Sequence, residues 1–198
     1  MKKGNAKRKN NTVFILFSLV LGLLMGWLAR DLMSMWVIGV IIRNIGIWVF
    51  VSALLAVYSP EAFRAALHVF IYFAGVIAAY FAHDIWLGGA VSGRTMVYWL
   101  IFAAVGALIG FIDWHTYSKE WLGAACTAVP VSLLIAEAYP IYKGFSVPLA
   151  FDIVCAVALY IIMAPGKMQK LMALPIIIVF TFALVYFDVL SGVFGGWI

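Results

Sequence analysis

Seven apolar runs separated by short polar breaks make up almost the whole chain, at residues 13–28, 35–58, 62–82, 96–112, 121–139, 147–164 and 171–188. Each is 16 to 24 residues long, the length at which a helix crosses a hydrocarbon core of about 30 Å. None shows the ten-residue alternation of apolar and polar positions that marks a membrane β-barrel strand, so the pattern predicts helices throughout. The breaks carry helix-ending residues. Ser59-Pro60-Glu61 reads as an N-cap, a proline in the first turn and an acid behind it, while Gly88-Gly89, Pro140 to Gly144 and Pro165-Gly166 mark other turns. The expected architecture is all-α: a polytopic membrane helical bundle of about seven transmembrane helices. Residues 1–11 form a basic cytoplasmic tail, 12–190 a single transmembrane domain and 191–198 a short extracytoplasmic tail.

Composition agrees with this reading. Of 198 residues, 67% are hydrophobic and 11% charged, against roughly 45–50% and about 25% in soluble domains, which leaves no room for a soluble catalytic domain. A net charge of +5 is compatible with nucleic acid as a partner, but five of the thirteen basic residues fall in the first nine positions, directly before an apolar run. That is an orientation signal, and no nucleic-acid partner is expected. With the N-terminus inside, Lys2, Lys3, Lys7, Arg8, Lys9, Arg64, Lys119, Lys167 and Lys170 lie on the cytoplasmic side, against Arg30, Arg94 and Lys143 outside. The nine-to-three bias predicts an N-in, C-out protein of a bacterial-type cytoplasmic membrane. The first run lacks a small-x-small cleavage site and reads as an uncleaved helix.

The chemistry must come from the few polar residues inside the spans. Cys126 and Cys155 stand in apolar stretches without a second ligand nearby, so they read as buried thiols, and neither a metal site nor a cofactor is expected. Arg43 falls eight residues into the second run with Asn44 beside it. At about 12 Å of depth, a guanidinium needs an acid, a set of carbonyls or water. Glu137, Asp152 and Asp188 close or open three different runs at similar shallow depth on the outer side. Together they predict an outward-facing polar cavity suited to a cation, an amine or a proton, with Arg43 below as counter-charge and Trp48, on the same helix, as a stacking group. Arg64 and His68, at i and i+4 near the inner end of the third run, form a secondary candidate for a phosphate or lipid headgroup. Gly22 and Gly26, Gly106 and Gly110, and Gly123 to Ala125 read as close-packing helix faces, within the chain or toward a homo-oligomer.

Three readings of function follow. The first is a small integral membrane protein that binds or transports a small solute through that cavity. The second is a non-catalytic accessory or assembly subunit that docks on membrane partners through its Gly/Ala faces. The third is an intramembrane enzyme acting on lipid, although no Gly-x-Ser-x-Gly, His-Glu-x-x-His or Gly-x-Gly-Asp motif occurs.

Overall fold

The structure, a computed structural model, describes residues 2–32, 35, 37–118, 120–140 and 144–189, with the backbone alone for 2–11 and 43. Among these residues it contains helices and no strand: α1 (Lys2–Leu32), α2 (Ile38–Arg43), α3 (Gly46–Val57), α4 (Ala62–Trp86), α5 (Gly93–Trp114), α6 (Glu120–Ala138), α7 (Val147–Met163) and α8 (Lys167–Tyr186), with a short 3₁₀ turn at His115–Tyr117. Five segments are long and apolar enough to cross a membrane: Thr12–Leu32, Ala62–Trp86, Gly93–Tyr117, Glu120–Ala138 and Lys167–Tyr186. Two shorter apolar helices, Gly46–Val57 and Val147–Met163, complete the set. The protein is therefore an all-helical chain with the features of an integral membrane protein.

The elements depart from the sequence expectation in two places. The second apolar run, 35–58, is not one helix but two, interrupted at Asn44 and Ile45. Residues 2–11 belong to α1. Ser59 does not cap the third run. Glu61 is the N-cap of α4, and the Ser59 hydroxyl turns back to donate to the Leu55 carbonyl at 2.7 Å, as short hydroxyl side chains do at helix ends.

Helix directions follow from side-chain register. Phe14 lies against His68 with ring centroids 4.7 Å apart, Gly22 and Gly26 meet the Tyr72 and Val76 backbones, Trp27 stacks on His83 at 4.1 Å, and Arg30 pairs with Asp84 at 2.9 Å. Both sets of numbers rise together, so α1 and α4 run parallel. The close approach requires the glycines: a Cβ on Gly26 would stand 2.8 Å from the Val76 Cα. Against α4, the contacts of α5 run the other way, Gly106 on Phe73 and Gly110 on Val69, so this pair is antiparallel. On the far side α6 and α8 run parallel, with Gly123 and Thr127 beside Gln169 at one end and Ile135 and Tyr139 beside Ile177 to Tyr186 at the other. The antiparallel helix α7 packs on α6.

Two apolar cores result. One joins α3, α6, α7 and α8 around Val131, Leu134, Leu159 and Met163, and the other joins α3, α4 and α5 around Val69, Tyr72, Phe73 and Val76. Helices α5 and α8 turn large apolar side chains outward, among them Leu108, Ile178 and Phe182. In a soluble protein these faces would be a liability, whereas in lipid they are the solvated surface. The start of α6, the end of α7 and the start of α8 are tied by a polar knot. Gln169 Nε2 donates to the Thr116 carbonyl at 2.7 Å and to the Met163 carbonyl at 3.2 Å, and the Thr116 hydroxyl donates to the same Met163 carbonyl at 2.7 Å.

Candidate functional site

The interruption at Asn44–Ile45 is the feature around which the polar residues gather. An unbroken helix would bond the Gly46 amide to the Ile42 carbonyl and the Ile45 amide to the Ile41 carbonyl. Here the Asn44 amide takes the Ile41 carbonyl at 3.2 Å, and its own backbone is extended at φ −76°, ψ 147°. Two groups so displaced find side-chain partners. Glu137, near the end of α6, accepts the Ile45 N–H on Oε1 at 2.8 Å. Trp48, on the first turn of α3, donates its indole N–H to the Ile42 carbonyl at 3.0 Å.

Asp152 of α7 approaches from the third side. The Asn44 side chain donates from Nδ2 to Asp152 Oδ2 at 3.3 Å, and the carboxylate rests on Gly46, where a Cβ would come within 2.7 Å of Asp152 Cγ. Only glycine leaves space for a carboxylate against the backbone at this turn. Asp152 is fully buried and Glu137 half-buried. Each keeps one buried oxygen, Asp152 Oδ1 and Glu137 Oε2, without a hydrogen-bond partner. The amino end of α3, where backbone N–H groups and the helix dipole favour negative charge, therefore faces two carboxylates from two other helices.

The residues singled out from the sequence are distributed as follows. Asn44, Trp48, Glu137 and Asp152 meet at the break. Arg43 is the last residue of α2 and its backbone adjoins the break, but its side chain lies outside the described residues. Asp188 does not share the burial of the other two acids. It is exposed, two residues beyond the end of α8, with φ of 49°. Tyr186, the residue that ends α8, lines an apolar groove of about 460 Å³ between α6 and α8, away from the carboxylate pair. The Trp48 indole nitrogen is committed to the Ile42 carbonyl, a structural duty that the expected stacking role did not include.

The secondary candidates occupy the first two turns of α4. Arg64 Nε pairs with Glu61 at 3.3 Å, and His68 Nδ1 lies 2.8 Å from the Ser59 hydroxyl. That hydroxyl gives its one proton to Leu55, so His68 Nδ1 is the donor and Nε2, buried without a partner, is left as an acceptor. Arg64 and His68 share a helix face as expected, and each is engaged by a neighbour in its own chain.

The residues missed by sequence reasoning are Ile45 and Gly46, whose contribution is backbone rather than side chain. The available signal was the Asn-Ile-Gly sequence in the middle of an apolar run, a helix-breaking combination read through as continuous span. No protein-family model, curated protein or solved structure matches this chain.

Proposed function

We propose that this chain is a seven-span, N-in and C-out protein of the cytoplasmic membrane, and that it binds a small cation at the broken second span during solute binding or transport. The cation is a proton, an alkali metal ion or an amine. Parallel packing of α1 with α4 and of α6 with α8 supports the span count, because the chain must return across the bundle between the members of each pair. The α2–α3 segment and α7 are the returning passes. At 1.5 Å per residue the former reaches about 30 Å and the latter about 25 Å.

The observation that carries the reading is the convergence of Glu137 and Asp152 on the Asn44–Ile45 break, each with a spare buried oxygen. Two desolvated carboxylates at one place require a counter-charge, which a bound cation, a proton or the neighbouring Arg43 supplies. Broken spans are also where membrane carriers hold ions, since unwound backbone presents carbonyls and helix ends to a ligand. Asp152 is covered in this arrangement, so entry requires the outer ends of α2, α6 and α7 to part.

The accessory-subunit reading loses its main support. The faces of Gly22, Gly26, Gly75, Gly106, Gly110 and Gly123 are each filled by the chain's own residues and are not available for docking. The cation reading is tested by thermal unfolding in detergent while sodium, potassium, a primary amine or acid is titrated. At least one of these stabilises the wild-type protein, as any ligand specific to the folded state does, and none stabilises the Glu137→Gln/Asp152→Asn double variant. Equal responses from the two proteins contradict the reading.

A further inference from the structure

A second buried acid lies at the opposite end of the bundle and has no part in the site above. Asp113 is the penultimate residue of α5, 1% exposed, and its Oδ1 has no hydrogen-bond partner. Among the described residues no basic side chain pairs with it. One turn earlier Gly110 presses α5 onto Val69 of α4. The Cys126 thiol of α6 lies within electrostatic reach of Asp113. A carboxylate charge held there alone would cost several kcal/mol, so this position favours a carboxylic acid that carries its own proton.

The route from Asp113 toward the outer pair is not purely apolar. Pro130 has no amide hydrogen, so the Cys126 carbonyl lacks the helical donor it would otherwise receive. Thr127 and Ser132 of α6 and Ser52 of α3 follow as buried hydroxyls, each bonded to a carbonyl of its own helix. From Cys126 to Glu137 the rise along α6 is about 16 Å, too far for direct transfer and short enough for a few hydroxyls and waters.

We propose that Asp113 is a proton-binding site at the cytoplasmic end of the bundle, a second station that exchanges protons with the Glu137–Asp152 pair. The exchange rests on the cation reading above, with the proton as the cation. In the outward step the Asp113 O–H bond breaks, water and the intervening hydroxyls relay one proton, and an O–H bond forms on a carboxylate oxygen of Glu137 or Asp152. The Asp113 carboxylate then regains a proton from the cytoplasmic water and the outer carboxyl releases its own to the water outside, so one positive charge crosses per cycle.

The test uses the full chain in proteoliposomes with an internal pH-sensitive dye, an imposed pH gradient and a potassium-clamped membrane potential. Wild-type protein dissipates the gradient, Asp113→Glu retains the flux, and Asp113→Asn falls to the level of protein-free vesicles. Infrared spectra of the same samples show a carboxylic-acid carbonyl band that disappears in Asp113→Asn and persists, shifted, in Asp113→Glu. A wild-type protein without flux overturns the proposal, as does an Asp113→Asn variant that conducts normally or a band unchanged by both substitutions. If Asp113→Asn conducts normally while Glu137→Gln/Asp152→Asn does not, the inner station is refuted and the outer site stands. If the double variant conducts normally and Asp113→Asn does not, the exchange is refuted together with the outer site. Thermal midpoints of each variant identify any that fail to fold, and Asp113→Glu then carries the comparison.

Discussion

Replacing Glu137 by leucine and by glutamine separates its two duties. Both variants remove the carboxylate charge, and only glutamine keeps an oxygen to accept the Ile45 N–H now bonded at 2.8 Å. In the leucine variant that amide, at the start of α3 and inside the bundle, loses its partner, at a cost of about 1–3 kcal/mol for an orphaned buried donor. In the glutamine variant the loss is confined to the charge-assisted part of the bond, about 1 kcal/mol. Any relief from removing a buried charge is common to the two and cancels in the comparison. The leucine variant is therefore the less stable by up to about 2 kcal/mol, or up to roughly 8 °C in unfolding midpoint for a chain of this size. The chain provides its own reporter, since Cys126 and Cys155 are both free and buried and react with a thiol-specific fluorophore only on unfolding. Equal midpoints, or a more stable leucine variant, would refute the claim that Glu137 holds the break together.

Further outcomes follow from the same contacts. Gly26→Leu forces a side chain into the Val76 backbone and lowers stability by at least about 1–3 kcal/mol, while an unchanged midpoint would deny the tight α1–α4 seam. Trp48→Phe strips the donor from the Ile42 carbonyl and destabilises by about 1–3 kcal/mol. A variant of normal stability that has lost its cation response would instead make Trp48 a ligand-contacting group. Gln169→Leu removes the donor shared by the Thr116 and Met163 carbonyls, so Cys126, on the helix they steady, is labelled faster than in wild type at a temperature where both are folded; equal rates would deny the knot its role. Arg30→Met breaks a partly exposed ion pair and changes stability by about 0–1 kcal/mol, and a larger loss would show that Arg30–Asp84 clamps α1 to α4.

What the sequence disclosed divides along a physical line. The all-helical character was legible because lipid leaves the backbone no alternative to internal hydrogen bonding, so apolar length alone marks helices such as α4 and α6. The glycine faces were legible as spacing, but the partner of each depends on register: nothing local says that Gly26 meets Val76 rather than another chain. Glu137 and Asp152 were recognised as acids at similar depth, and the structure brings them to one place. Asp188 was grouped with them on depth alone, which does not fix the direction a side chain faces, and it is exposed. The break itself was hidden because Arg43-Asn44-Ile45-Gly46 sits between apolar residues on both sides, and hydropathy averages over four residues. Its consequences, an amide bound to Glu137 and a carbonyl bound to Trp48, are backbone events with no side-chain signature.

The proposed charge-balanced cation site, where Glu137 and Asp152 close on the second span, is reported directly by capacitive current from proteoliposomes adsorbed to a solid-supported membrane. Rapid steps of acid, sodium, potassium and a primary amine are applied in turn to the wild-type chain and to the Glu137→Gln/Asp152→Asn double variant. The expected record is a saturable transient for at least one of these cations with the wild type and none with the double variant. Identical traces from the two proteins, or a wild type silent to all four steps, would contradict it.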